Sequence, residues 1–537
     1  MPDSISIFDT TLRDGTQGEN ICFSAEDKFR IAKRLDDFGI DYIEGGWPGS
    51  NPKDMAFFEK AKHHVFRHAK IVAFGSTCRA GNQPDEDPNL KALIQAETPA
   101  VSIFGKSWLI HVNEALGITP EENLQMISGS VKHLKSHGRE IIYDAEHFFD
   151  GYKHNPDYAI QTLLTAESSG ADVLVLCDTN GGSLPHEIST ILRDVAKHVS
   201  APLGIHTHND GDLAVANSLA AVEAGAVQVQ GTINGYGERC GNANLCSVIP
   251  NLQLKMGYHC VPDSSIPRLT ALAKFVSELA NLVPDNKQSY VGKSAFAHKG
   301  GIHVSAVMKN SSTYEHINPE QVGNCRRVLV SDLSGKSNLS YKSKELGFEF
   351  SKYSENSTAI VRQLKALENE GYQYEAAEAS FELLVKQMTG QTPDFFNLEG
   401  FRVIVEQNAS GESRSEATIK VRVQDQVELS AAEGNGPVHA LDAALRKALF
   451  KFYPEISSMK LRDYKVRVLN EKNGTAAKVR VLIDSVSGNS GWGTVGVSEN
   501  IMDASWQALS EGVTYYLMNN NSVPVQKHGA ELEEATT

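Results

Sequence analysis

Eight short runs of apolar, β-branched residues recur through the first 231 residues: Ser4–Phe8, Tyr42–Glu44, Ile71–Phe74, Ala100–Phe104, Glu140–Tyr143, Val173–Cys177, Leu203–Ile205 and Val227–Gly231. Stretches with apolar residues at helical spacing separate them, including Ala25–Phe38, Pro120–Ser136, Pro156–Ser169, Pro185–Val199 and Asp212–Ala224. Several open with Ser, Asp or Pro, which satisfy or tolerate the free N–H groups of a first helical turn. A strict alternation of buried strands and helices demands a parallel sheet covered on its outer face. Eight such units predict a (β/α)8 TIM barrel, with an open doubly wound sheet as the alternative.

After residue 250 the pattern changes. Residues 261–375 read as helical linker subdomains, with helical spacing at Ser264–Leu282 and Lys342–Phe348. From Ala376 the period shortens to two: Gly400–Glu406, Ala417–Val423 and Gln426–Ser430 alternate as strands, and Gly436–Lys451 follows as an amphipathic helix. Ala417-Thr-Ile-Lys-Val-Arg-Val is echoed by Ala477-Lys-Val-Arg-Val, and Ala440-Leu-Asp-Ala-Ala-Leu by Ile501-Met-Asp-Ala-Ser-Trp. An offset of about 60 residues predicts an α+β regulatory domain with an internal β-β-β-α repeat. The expected organisation is a catalytic barrel over 1–260, linker subdomains over 261–375, the regulatory domain over 376–520 and a polar tail over 521–537.

Composition narrows the classes of function. A net charge of −15 argues against nucleic acid or an anionic membrane as partner. No apolar run approaches the length of a membrane span, and the first residues lack a leader pattern. The seven cysteines are scattered and never form a CxxC pair, which fits reduced thiols and a cytoplasmic location and excludes a zinc ribbon.

In a barrel of this kind chemistry sits where strands end. There the sequence places Asp9-Thr-Thr-Leu-Arg-Asp-Gly-Thr-Gln17, Glu44, Asp144 with Glu146, Asp178-Thr179-Asn180, His206-Thr-His208-Asn-Asp210, and a glycine-rich loop running from Gly231 to Asn242. His206 and His208 are two apart, so on a strand both imidazoles face the same way and reach one ion. Alone, such a pair is as readily a hydrogen-bonded couple; its coincidence with strand-end acids favours a metal. With Asp14 and the amide oxygen of Asn242 it forms a mixed N/O set suited to Mn2+, Mg2+ or Zn2+. Arg13 adds a permanent cation for a developing oxyanion, or a salt bridge to Asp9 or Glu44. The glycine-rich loop lacks the GxxxxGK[ST] pattern of a phosphate loop. Cys240 has no activating base nearby in sequence and reads as structural.

The segments Asp9-Thr-Thr-Leu-Arg-Asp-Gly, His206-Thr-His-Asn-Asp and Gly237-Glu-Arg-Cys-Gly-Asn resemble those of the 2-isopropylmalate, homocitrate and citramalate synthases. The resemblance extends through Phe296-Ala-His-Lys-Gly-Gly-Ile-His303 to the duplicated C-terminal segment, which is similar to that family's amino-acid-sensing domain. It implies metal ligation by Asp14, His206, His208 and Asn242, catalytic roles for Arg13 and Glu146, and substrate contacts from Gln17, Glu44 and Thr179. It further implies that His303 and Tyr314 are presented to acetyl-CoA, the co-substrate, by the partner subunit of a homodimer or higher homo-oligomer. A branched-chain amino acid effector is expected at Asn435, Gly436 and Pro437.

Within the family, Glu44-Gly-Gly-Trp-Pro-Gly-Ser-Asn-Pro-Lys-Asp54 looks like the long citramalate synthases, with Trp47 either filling the space of a branched side chain or simply packing the barrel. The resemblance therefore implies condensation of acetyl-CoA with pyruvate, feeding isoleucine synthesis. The alternatives are 2-oxoisovalerate as substrate, or a non-catalytic amino-acid sensor. Two positions depart from the family pattern: His147-Phe-Phe-Asp follows Glu146, and Ser305 stands where many members carry Asp. Cys240 lies too late in its loop to match the catalytic Cys of the CoA lyases that share this barrel.

Overall fold

The computed structural model describes residues 4–329, 338, 341, 356–391, 394–469, 477–488 and 490–525. The helical pattern expected over Lys342–Phe348 and the tail beyond 525 lie outside these residues. The chain divides into two compact units, one of residues 1–296 and 316–326, the other of 297–315 and 327–537.

The first unit is a closed barrel of eight parallel strands in sequential order: β1 (Ser6–Asp9), β2 (Tyr42–Gly46), β3 (Lys70–Ser76), β4 (Ala100–Lys106), β5 (Glu140–Glu146), β6 (Val173–Asp178), β7 (Leu203–Thr207) and β8 (Gln228–Gly231). β8 returns to pair with β1, Asp9 opposite Gly231, which closes the cylinder and removes both sheet edges. Period-two alternation sorts the side chains: Phe8, Val72, Ala100, Ile142 and Val175 fill the barrel, while Ile7, Ile71, Ala73, Val101 and Ile141 pack outward beneath the helices.

Helix starts follow the local chemistry. Ser24 with Asp27 and Thr119 with Glu122 form reciprocal capping boxes, and Pro120, Pro156 and Pro185 occupy first helical turns. The helices Ala25–Phe38, Pro120–Ser136 and Pro156–Ser169 have the expected bounds. Seven of the eight strands run one to three residues past the end of their apolar run, since Asp9, Gly46, Ser76, Lys106, Glu146, Asp178 and Thr207 are still paired or extended. Hydropathy falls off at these positions because they are polar or glycine: Glu146 reaches the mouth of the barrel, whereas Asp178 bonds Ser183 and Thr207 bonds Ala214 O and Ser218 in the segments that follow their strands.

The second unit contains the helix Gly301–Lys309, with β9 (Ala297–His298) pairing parallel to β10 (Arg327–Val328). The helices Asn356–Glu370 and Glu378–Met388 follow. Then come two copies of one motif. β11 (Asn397–Gln407), β12 (Ser413–Val423) and β13 (Gln426–Gly434) form an antiparallel sheet covered by the helix Pro437–Phe450. β14 (Lys460–Val468), β15 (Val479–Ser487) and β16 (Ser490–Ser498) form the second, covered by Ile501–Asn519. Ala417, Ile419, Val421, Leu441, Leu445, Val481, Ala508 and Leu509 share one core. The β-β-β-α repeat is structural, but its offset is 64 residues, with Ala440 matching Ala504 and Val423 matching Ser487, so the quoted sequence echoes lie a few residues out of register.

Candidate active site

The C-terminal ends of the barrel strands converge on a cavity of about 210 Å3 lined by Arg13, Asp14, Gln17, Trp47, Phe74, Phe104, Asp144, Glu146, Cys177, Thr179, His206, His208, Glu238 and Arg239. Asp14 opens the short 3-10 turn Asp14–Gln17 directly after β1, and His206 and His208 flank Thr207 at the end of β7. The Nε2 atoms of His206 and His208 lie 3.2 Å apart, and Asp14 Oδ2 is 3.4 and 4.0 Å from them. All three residues are buried.

Asn242 is bridged to His208 through the backbone, and its Nδ2 donates to Tyr236 O at 3.1 Å. Its Oδ1 is buried and has no partner among the described residues; the same holds for Asp14 Oδ1 and His208 Nδ1. Buried acceptors without donors are costly unless a cation meets them. Asp14, His206 and His208 together are a set whose ligand atoms lie within 4.8 Å of one another. The residues present therefore fit a divalent ion.

A buried chain fixes the geometry behind these ligands. His206 Nδ1 lies 2.8 Å from Gln230 Oε1, Gln230 Nε2 donates to Asp144 Oδ1 at 3.0 Å, and Ser102 Oγ donates to Asp144 Oδ2 at 2.8 Å. With the Gln230 amide oriented by Asp144, the Nδ1 N–H of His206 donates to Gln230 Oε1. Burial opposes charge on this ring, yet Asp14 beside Nε2 raises its pKa. Burial lowers the pKa of His208, and its neighbour His206 lowers it further, to about 3, leaving it a neutral imidazole. Burial opposes charge on Asp14, yet Arg13, then His206 and His208, hold its pKa well below the usual carboxylate range. Burial, aided by Glu44, pushes Asp144 up to about 6.

Arg13 is fixed on three sides. Its Nε donates to Glu44 Oε2 at 2.7 Å, its Nη1 lies 3.3 Å from Asp14 Oδ2, and its guanidinium carbon lies 3.7 Å over the Phe74 ring. Glu44 is fully buried and also accepts from Thr10 Oγ1, so it sits behind Arg13 and off the cavity wall. Glu146 reaches the cavity paired with Lys106, its register partner across β4 and β5. Thr179 Oγ1 accepts from His147 N at 2.9 Å, which leaves its hydroxyl proton for another acceptor. Gln17 lies at the solvent side of the same cavity.

The remaining wall is aromatic. Trp47 stands edge-on to Phe74 and Phe104, with ring centroids 5.6 and 5.7 Å away, and the two phenyl rings stack at 5.5 Å. Phe74, Phe104, Lys106, Gln230 and Arg239 are parts of the site that sequence reasoning passes over. The two Phe read as strand residues, and the only available signal is their place at the ends of β3 and β4. Asn242 is not on the wall of the cavity that Trp47 lines but on that of a larger one of about 710 Å3, together with neutral side chains such as Asn234, Asn244 and Gln288, with the charges of Asp212, Asp285 and Lys287 among them. It holds no cluster of ligating groups among the described residues.

His303 and Tyr314 lie in the second unit, where their rings stack with centroids 4.3 Å apart. Asn435, Gly436 and Pro437 lead into the helix Pro437–Phe450, with Asn435 N donating to His439 Nδ1 at 3.1 Å.

Residues 4–276 match the HMGL-like family. Residues 290–372 match the homocitrate synthase post-HMGL domain-like family, and residues 375–517 the LeuA allosteric (dimerisation) domain. The (R)-citramalate synthase of Geobacter sulfurreducens is 58% identical over 97% of this chain and 99% of its own length. The chain belongs to the 2-isopropylmalate, homocitrate and citramalate synthase family. The (R)-citramalate synthase of Aquifex aeolicus is 56% identical over 97% of this chain and 99% of that protein. A probable 2-isopropylmalate synthase of Methanopyrus kandleri is 32% identical over 96% of this chain and 98% of that one. The protein is thus an enzyme of this family, a transferase of the acetyl-CoA-condensing type, and not a catalytically silent sensor. No helix among the described residues is long and apolar enough to cross a membrane.

Proposed function

We propose that the enzyme is an (R)-citramalate synthase, condensing acetyl-CoA with pyruvate and hydrolysing the thioester to release citramalate and CoA in isoleucine synthesis. The observation that carries this reading is the combination, in one cavity, of an orphaned ligand set under Arg13 and an aromatic wall that leaves room for a small 2-oxo acid. The similarity to named (R)-citramalate synthases, well above that to 2-isopropylmalate synthases, supports the same choice.

Asp14, His206, His208 and Asn242 would hold Mn2+, Mg2+ or Zn2+. The ion, when bound, supplies a Lewis acid that polarises the keto group of the 2-oxo acid. Thr179 donates its free hydroxyl proton to the substrate carboxylate, and Gln17 lies within the same cavity. Arg13, aimed by Glu44, donates to the keto oxygen as it gains negative charge, and its fixed direction minimises reorganisation. Glu146, oriented by Lys106, acts as acid or base in moving a proton between the acetyl methyl and the new hydroxyl. Trp47, Phe74 and Phe104 exclude a branched side chain. Since an apolar pocket separates substrates differing by one methylene by only about 1–3 kcal/mol, steric exclusion is the effective route to pyruvate.

We further assign His303 and Tyr314 to acetyl-CoA across a homodimer, and Asn435, Gly436 and Pro437 to a branched-chain amino acid effector. The catalytic barrel then spans 1–260, the linker 261–375 and the regulatory domain 376–520, in a cytoplasmic enzyme. The test is release of free CoA thiol from acetyl-CoA with metal present, comparing pyruvate, 2-oxoisovalerate and 2-oxoglutarate, each with and without isoleucine or leucine. Turnover with pyruvate, inhibited by isoleucine, is expected. Preference for 2-oxoisovalerate overturns the substrate choice and leaves the chemistry intact.

A further inference from the structure

Trp47 is fixed at two points, and neither lies in the cavity. Its backbone N donates to Asp54 Oδ2 at 2.9 Å, and the other oxygen of Asp54 lies 2.5 Å from Lys28 Nζ, a fully buried ammonium that also donates to Gly45 O at 3.1 Å. Gly46, at φ +148°, packs so closely on Asp54 that a Cβ there would come within 2.4 Å of its carboxyl carbon. The buried ion pair therefore locks the main chain entering Trp47.

The indole is fixed separately. Its Nε1 donates to Asn89 Oδ1 at 2.7 Å, while Asn89 Nδ2 donates to Ser76 O at 2.7 Å. Asn89 itself has little freedom. It lies in the first turn of the helix Pro88–Gln95, capped by the buried Asp87, which accepts from Asn89 N at 2.9 Å and Leu90 N at 3.2 Å. A Cβ on Gly75 would meet Asn89 Oδ1 at 2.9 Å, so β3 is bare there to admit the amide. An indole without its hydrogen-bond partner has other rotamers open to it, whereas this one is held edge-on to Phe74 and Phe104.

We propose that Asn89 is a specificity-determining positioning residue, which by accepting the indole proton of Trp47 keeps the aromatic wall closed to 2-oxo acids longer than pyruvate. The inference deepens the pyruvate reading above and rests on it. Asn89 does not line the cavity and acts only through Trp47.

The test uses the full-length enzyme and the ratio of kcat/KM for 2-oxobutyrate to that for pyruvate, two substrates that differ by one methylene. Asn89→Ala raises this ratio about five- to ten-fold, within the range one methylene commands. Asn89→Asp, which keeps an acceptor for the indole proton, stays near the wild-type ratio. In a Trp47→Phe background, which has no such proton, Asn89→Ala adds no further change. A merely structural role lowers both substrates together and leaves the ratio alone. An unchanged ratio in Asn89→Ala, a shift that persists in Trp47→Phe, or an Asp variant that behaves like Ala overturns the proposal. A readout on the unsubstituted protein guards against a variant that fails to fold: the Trp47 indole N–H, one of four in the chain and identified by its loss in Trp47→Phe, exchanges slowly with solvent. Exchange at the rate of a free indole overturns the clamp. If the wild-type enzyme prefers 2-oxoisovalerate, the substrate reading fails by itself, and the change of ratio on Asn89→Ala remains measurable against that baseline.

Discussion

At the rim of the barrel, Asp14, Glu44, Asp144, His206 and His208 are buried together around the guanidinium of Arg13, which pairs with Glu44 and Asp14 and not with Asp9, and Asp14 Oδ1, Asn242 Oδ1 and His208 Nδ1 lack partners among the described residues. In the two sheet-and-helix copies of the C-terminal unit the shared core is Ala417, Ile419, Val421, Ala444, Leu445, Val481, Ala508 and Leu509. The second region has what a stable core needs, apolar area removed from water. The first carries groups whose burial opposes folding, and it is held in place by the closed strand ladder and the outer apolar layer. The difference teaches where to look for function: buried polarity that the fold does not need.

The sharpest way to break that comparison is to remove the rim's ligands. His206→Ala with His208→Ala, or Asp14→Asn, lowers metal-dependent CoA release by roughly 10²–10³-fold or more, with the far-ultraviolet circular dichroism of the fold retained. Added Mn2+ raises the melting temperature of the wild type and not that of these variants, since an ion bound only by the folded state stabilises it. Next is Arg13→Lys. An ammonium keeps the charge but loses the planar fork between Glu44 and Asp14 and the stacking on Phe74, so kcat falls about 10²-fold at pH 8.

The C-terminal unit is expected to respond in the opposite sense. Leu445→Ala opens a void in the shared core and costs about 2–5 kcal/mol, read as an earlier denaturation transition of that unit, while the initial rate with pyruvate at 25 °C is retained. The smallest effect tests one buried polar pair of that unit. Ser380 Oγ donates to Glu511 and accepts from Val495 N at 2.9 Å, and desolvation pushes the Glu511 carboxyl from 4.5 up to about 7. The folded state then holds a proton that the unfolded chain releases, so this contribution is fully present below pH 4.5 and is lost as pH rises to about 7. Glu511→Gln flattens that decline, worth about 1–3 kcal/mol, measured as melting temperature at pH 5 against pH 8.

The same contrast explains what could be read from sequence. The strands of the barrel and the helices on it were legible because period-two and period-3.6 apolar patterns are what burial requires. The repeat was legible from its strand-strand-strand-helix pattern, but the Val-Arg-Val echo is out of register with it: Val423 lies at the hairpin opposite Gln426, whereas Val479 and Val481 open β15 opposite Ser498 and Gly496. His206, His208 and Asp14 stood out as polar residues at strand ends. The reach of the strands past their apolar runs was not legible, because those final residues are polar or glycine and break the apolar pattern. Phe74 and Phe104 went unnoticed for the opposite reason: nothing in a pattern separates a Phe that fills a core from one that shapes a cavity. Asn89 looks like an ordinary first-turn residue until its distance to Trp47 is known.

The chain passes between its two units three times, since residues 297–315 belong to the second and 316–326 return to the first. The returning stretch is bonded into the barrel unit: Thr270 Oγ1 donates to Val322 O at 2.7 Å, and Asn324 Nδ2 to Tyr290 O at 2.8 Å and Gly292 O at 3.0 Å. No single cut can therefore separate the two units cleanly. A truncation at Phe296 would strip these three tethers, whereas one placed after Arg326 keeps them and carries the helix Gly301–Lys309 along as a loop insertion. Gene fusions, domain exchanges and limited proteolysis of this enzyme all have to respect that thread.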